Sequence, residues 1–340
     1  MSQILDNAKE KGICKGKIVY LEALRILAIY CVMFNHAGAR GGSYYQYTDS
    51  HICYFIGLIC AIFCNIGVPL FLMISGALLL EKDESILDTY KKRLPRIVIV
   101  LVLFSFVRYI YECFGVKELE FSFSGFFYGL LKGDLFVPYW YLYIYICVLI
   151  VLPFVRKMVK NLTVIEARLF IVACCFFYIA LTIADTLLGI NIDLGFLFGR
   201  HLAFLITGYI IEHYQTELLG TTKSFVIALL AFVISMLGMY VTKDSELLCY
   251  PLTVSVFILF KYIDWGDGLV ARLVASGGAG VFGLYLLEDY FRNLTIGISD
   301  VLSECITTLP ATFIWLFVVL VVGLFITNLL KKAPGLRKLL

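Results

Sequence analysis

Apolar residues fall along this chain in ten runs, at 18–38, 53–80, 97–114, 138–155, 166–184, 195–212, 223–241, 247–263, 277–293 and 308–330. A helix needs about 20 mainly apolar residues to cross a bilayer, and the runs meet or approach that length. Polar residues collect between them. The second run is the longest, and Gly67, Pro69 and Gly76 within it predict a break or a tilt. The longest gap, 115–137, is rich in Phe and Gly and is expected to fold back into the outer interface. The pattern predicts an all-α polytopic membrane helix bundle of about ten transmembrane helices over 18–330. A short segment at 1–17 precedes it and a basic tail at 331–340 follows.

Composition agrees with the pattern. Hydrophobic residues make up 61% of the 340 positions and charged residues 16%, against roughly 45–50% and 25% in soluble domains. A soluble fold cannot hide that much apolar surface. Disorder, nucleic-acid binding and a secreted disulfide scaffold are therefore disfavoured as function classes. Eleven cysteines lie mostly inside the apolar runs with no CxxC pair, which reads as membrane packing; no metal site is expected. The first sixteen residues are polar and mixed in charge, unlike a cleaved signal peptide.

The net charge of +3 says little, but its distribution sets an orientation. With the N-terminus in the cytoplasm, 20 of the 28 Lys and Arg face inward. Five face outward: Arg40, Lys117, Lys132, Lys243 and Arg292. This bias follows the positive-inside rule and places both termini in the cytoplasm.

Ionisable residues inside spans are costly and are functional candidates by default. Here they are Glu22, Arg25, His36, Arg108, Arg200, His201, Glu288 and Asp289. Arg25 and His36 are eleven residues apart in LEALRILAIYCVMFNH. On a helix that spacing leaves them about 20° apart around the axis and roughly 16 Å apart along it. A guanidinium toward the cytoplasm and a titratable imidazole toward the outer face, both looking into one cavity, suit a long anionic donor and a proton transfer. The competing structural reading pairs Arg25 with Glu22 and hydrogen-bonds His36 to a neighbour. Arg93 and Arg96 share a helical face in RLPR and fit phosphate recognition, or simply anchor the topology beside Lys91 and Lys92. Arg200 and His201 either edge a loop or line an acceptor pocket. Glu288 and Asp289 are expected to pair with a cation such as Arg25, Arg108 or Arg200, or to hydrogen-bond an acceptor hydroxyl. Trp140 and its neighbouring tyrosines read as an interfacial belt, with a sugar-stacking platform as the alternative.

Taken together, these segments resemble the acyltransferase-3 family of membrane O-acyltransferases, which modify bacterial surface polysaccharides, peptidoglycan and related acceptors. The first run resembles the family's opening signature, with Arg25 and His36 in the Arg and His places. NIGVPLFLMISGALLL resembles the second-span segment ending in Ser-Gly, at Ser75 and Gly76. RLPR meets the Arg-x-x-Arg motif, PYWYLYIYICVLIVLPFVRK the Trp-Tyr-Leu segment with its closing proline, and GRHLAFLITGYII the later span with a Gly-Tyr end. One departure stands out. Where many members carry Tyr-x-x-His near the ninth span, this chain reads YLLE, with Glu288 in the His place.

The resemblance implies a bacterial plasma-membrane enzyme of the stand-alone type, using cytoplasmic acyl-CoA (acetyl-CoA first) as co-substrate and no metal. Its acceptor would be a carbohydrate or lipid-linked glycan; membrane lipids surround it, nucleic acid is not a partner, and a homo-oligomer is left open. Arg93 and Arg96 would hold the donor phosphates, and Arg25 would steer the donor. His36 would be general base or transient acyl carrier. Glu288, Arg200, His201 and Trp140 would face the acceptor. The rival reading is a transporter or flippase of a lipid-linked glycan, although the two halves show no convincing internal repeat.

Overall fold

The computed structural model describes residues 13–14, 17–116, 120–133, 135–188, 200–218, 221–243, 246 and 248–340. Among these the fold is helical, apart from a two-residue antiparallel pair, Ile13–Cys14 with Lys17–Ile18. Every apolar run of the sequence carries a helix. In chain order they are α1 (Val19–His36), α2 (His51–Cys64), α3 (Gly67–Leu79), α4 (Leu94–Ile110), α5 (Phe123–Lys132) and α6 (Trp140–Val159). There follow α7 (Val164–Leu188), α8 (Arg200–Leu218), α9 (Thr221–Thr242), α10 (Cys249–Lys261), α11 (Leu269–Gly278), α12 (Val281–Ile306) and α13 (Thr308–Leu330).

Local chemistry sets many of the boundaries. The long second run divides at Asn65–Ile66, just before Gly67 and Pro69, into α2 and α3. Thr163 and Glu166 form a reciprocal capping box before α7: Glu166 N–H donates to the Thr163 hydroxyl at 3.3 Å, and Thr163 N–H to the Glu166 carboxylate at 2.7 Å. Pro95 sits in the first turn of α4, where its missing N–H costs nothing. In the predicted fold-back gap, α5 forms between an N-cap at Ser122 and Gly133, whose φ of +80° closes the helix. Phe126 and Leu130 are buried one turn apart, while Phe123, Phe127 and Leu131 are exposed.

With α2 and α3 taken as one, six helical segments are long and apolar enough to cross a membrane among the described residues, and α11 with α12, bent by 72°, would make a seventh. Their outward faces are greasy: α9 exposes Phe225, Ile227, Leu230 and Ile234, and α13 exposes Phe317, Val321 and Phe325. Side chains of this kind are stable outside a core only against lipid. The helix α12 corrects the sequence reading. It runs 13 residues past the end expected at 293, so Arg292 lies buried in mid-helix and not in an outer loop. The stretch after 293 stays helical to Ile306.

The chain divides into two compact units, Met1–Glu81 with Val159–Asn328, and Lys82–Met158 with Leu329–Leu340. Within the first, α3 and α8 cross at very close range. A Cβ on Gly76 would lie 1.7 Å from the Leu205 carbonyl oxygen, and one on Gly208 would lie 2.0 Å from that of Met73. Only glycine at both places lets the two backbones touch, the usual means of helix association where lipid removes the hydrophobic drive. Helix α1 packs among these elements, with Leu24, Ala28, Ile29 and Met33 fully buried.

Candidate functional site

His36 is the last residue of α1, and its imidazole is 22% exposed. Its Nδ1 lies 2.7 Å from Oε1 of Glu288, which projects from α12 and is almost wholly buried. A carboxylate can only accept, so Nδ1 is the donor in this contact. The second oxygen of Glu288 accepts from Arg292 Nε at 2.5 Å. Arg292 also donates from Nη1 to the His36 carbonyl oxygen at 2.7 Å and from Nη2 to Asp289 Oδ1 at 2.9 Å. Asn293 holds the other Asp289 oxygen at 3.1 Å.

These residues meet because helical spacing aligns them. Glu288 and Arg292 are one turn apart on α12, the spacing at which a carboxylate and a cation on one helix meet. Glu288 meets the ring directly, and Arg292 links Glu288 to Asp289. A carboxylate at this distance from a ring nitrogen holds an imidazole in one orientation.

The other expected residues fall in different places. Arg25 lies on the same unbroken helix as His36 and donates to Glu22 Oε1 at 2.6 Å. Glu22 is buried, and its carboxylate lies against Gly278. His201 is partly buried near the start of α8, whereas the Arg200 side chain lies outside the described residues. Glu288 takes His36 and Arg292 as partners, where Arg25, Arg108 or Arg200 was expected. The physical reason is the length of α12, which supplies a cation from its own next turn.

In the second unit, Arg93 closes a bidentate pair with Glu84, with Nε to Oε2 at 2.8 Å and Nη2 to Oε1. Arg156 is buried and donates to the Glu84 carbonyl oxygen at 2.9 Å, with its Nη2 3.5 Å from Glu84 Oε2. The Arg93 guanidinium bonded to Glu84 holds that carboxyl below its ordinary value of 4.5. Arg96 donates to the Leu339 carbonyl oxygen at 3.3 Å. Arg108 pairs with Glu112 and lies over the ring of Phe136, 4.5 Å from its centroid. Trp140 is partly exposed and meets Tyr141 edge-on.

Sequence reasoning missed two residues, Arg292 and Arg156. The first was legible as E-D-x-x-R, an acid and a base one turn apart; the charge count had placed it on the outer side. For Arg156, buried at the end of α6 among the residues counted as topology anchors, no local signal existed.

Residues 18–330, nearly the whole chain, match a family model described as an acyltransferase domain. No curated protein matches the chain, and neither does any solved structure.

Proposed function

The chain belongs to the acyltransferase-3 family and is a multi-pass membrane acyltransferase; from that premise we propose that it moves an acetyl group from cytoplasmic acetyl-CoA to a hydroxyl of a cell-surface or lipid-linked carbohydrate. The observation that carries the reading is the 2.7 Å contact between His36 and the buried Glu288. In this mechanism Nε2 of His36 removes the acceptor hydroxyl proton as the oxygen attacks the thioester carbonyl. The new C–O bond forms, the C–S bond breaks, and the proton passes from the ring to the departing CoA thiolate. A base placed in this way contributes about 10²–10⁴-fold.

Arg93 and Arg96 would hold donor phosphates, for which guanidinium forks are suited. Arg25, on the same helical stripe as His36, would steer the donor. Arg200, His201, Trp140 and Glu288 would face the acceptor, and Glu288 would also orient the base. The topology in this reading is ten crossings with both termini in the cytoplasm of a bacterial plasma membrane, as the bias of Lys and Arg supports.

The test is acetyl transfer from labelled acetyl-CoA in membranes with and without the protein, followed by mass spectrometry of the glycan fraction. CoA release with an acetylated sugar is expected, and His36→Ala should abolish both while the protein still inserts. Glycan translocation without acetyl transfer would overturn the reading in favour of a flippase, as would normal transfer by His36→Ala.

A further inference from the structure

We infer that Arg292 is a positioning residue for the His36 base: its guanidinium locks both the carboxylate that holds the imidazole and the backbone from which the imidazole hangs. The inference rests on the reading of His36 as the base. It concerns a residue that the charge count places on the outer side and that the family resemblance does not single out.

The geometry forms a closed ring of contacts. Starting at His36, the path runs from Nδ1 to Glu288 Oε1, across the carboxylate to Oε2, to Arg292 Nε, and from Nη1 back to the His36 carbonyl oxygen. Each contact is 2.7 Å or shorter. That carbonyl sits at the C-terminal end of α1, where the last carbonyls of a helix lack partners within it. Arg292 supplies the partner, with positive charge at the end of the helix where it is favoured. The same side chain braces the end of α1 and engages Oε2 of Glu288, while Oε1 meets the ring.

The requirement is for a planar fork. A lysine at 292 would carry the charge but presents one compact ammonium, which cannot serve the carboxylate and the carbonyl in the same planar geometry. A neutral residue there would leave Glu288 buried without its counter-charge, an arrangement that a low-dielectric site tolerates poorly. In either case the ring would lose its fixed orientation before the fold is lost, because α12 is held elsewhere, for example by the Trp315 indole N–H donating to Thr295 at 2.9 Å.

The experiment uses the full chain purified in nanodiscs, with Arg292→Lys, Arg292→Ala, Glu288→Gln and the Arg292→Ala/Glu288→Gln double variant. Acetyl transfer from labelled acetyl-CoA to the membrane glycan fraction is one readout. Carbethoxylation of His36 by diethyl pyrocarbonate, followed by peptide mass spectrometry, is the second and needs no acceptor. His51, exposed at the start of α2, is the internal reference. The expected results are a loss of transfer of about 10–100-fold for Arg292→Ala at unchanged KM for acetyl-CoA, and an intermediate loss for Arg292→Lys. The double variant should be no worse than Glu288→Gln alone, since coupled residues are not additive. His36 carbethoxylation should change several-fold in both Arg292 variants while His51 keeps its rate. Additive losses, or a raised KM at unchanged kcat, would overturn the assignment. Should the wild-type protein transfer no acetyl group, the base reading fails on its own. The positioning role would then stand or fall on the His36 modification rate, and an unchanged rate in Arg292→Lys, which keeps the charge and the fold, would end it.

Discussion

Replacing Glu288 by Gln keeps the shape of the side chain and removes its charge, so its effect isolates electrostatics. In the proposed mechanism the ring carries a proton as the acceptor attacks, and the imidazolium would then face the carboxylate across the 2.7 Å contact. With charge centres about 4 Å apart and an effective dielectric near 20, the attraction is about 4 kcal/mol. At one decade of rate per 1.36 kcal/mol, its full loss would slow proton removal by about three decades. The Arg292 guanidinium, on the far side of the same carboxylate, opposes part of that attraction and brings the expected loss to about two decades. The amide adds a second penalty in the same direction. If its NH2 group donates to Nδ1, the ring proton moves to Nε2 and the base is blocked. The assay is single-turnover acetyl transfer from labelled acetyl-CoA in nanodiscs, with Asp300→Asn as control. Asp300 forms an exposed pair with Arg40 at 2.6 Å, and such pairs are worth at most about 1 kcal/mol. Glu288→Gln transferring within threefold of wild type, or no more slowly than Asp300→Asn, would refute the reasoning.

Three other perturbations test the scaffold. Gly76→Ala places a methyl 1.7 Å from the Leu205 carbonyl oxygen, a backbone atom that cannot move aside alone. It should cost about 1–3 kcal/mol or more, whereas Gly297→Ala, with nothing within 4 Å, should be neutral or slightly stabilising in thermal unfolding. Thr307 sits between α12 and α13 at φ +75° and ψ 158°, a region tolerated almost only by glycine. Thr307→Gly should therefore raise stability by about 1–3 kcal/mol, read as a higher melting temperature. Glu84, whose carboxyl is held low by Arg93, contributes stability that is present above the ordinary value of 4.5 and is lost as pH falls through the lowered one. Wild type should lose melting temperature on that acid limb, and Glu84→Gln should flatten it.

Much of the architecture was legible in order along the chain. Each apolar run became a helix, and the break at Gly67 and Pro69 came where those residues foretold it. Hydropathy and turn chemistry are local, so the sequence carries them directly. The stripe that joins Arg25 to His36 was legible for the same reason, since both residues sit on one helix and its pitch relates them.

The pairing of buried charges was not. Nothing in the order of the ionisable residues singled out within the predicted spans said which would meet. Glu288 reaches His36 across 252 positions of sequence only because α1 and α12 pack at one angular register, which periodicity does not encode. The end of α12 was hidden too: the polar cluster at 288–293 read as the edge of a span, so Arg292 was counted as an outer cation until packing buried it. By itself the sequence determined a membrane bundle and one candidate base. Tertiary structure decided what holds that base, because helix ends and helix rotations depend on contacts between segments far apart in the chain.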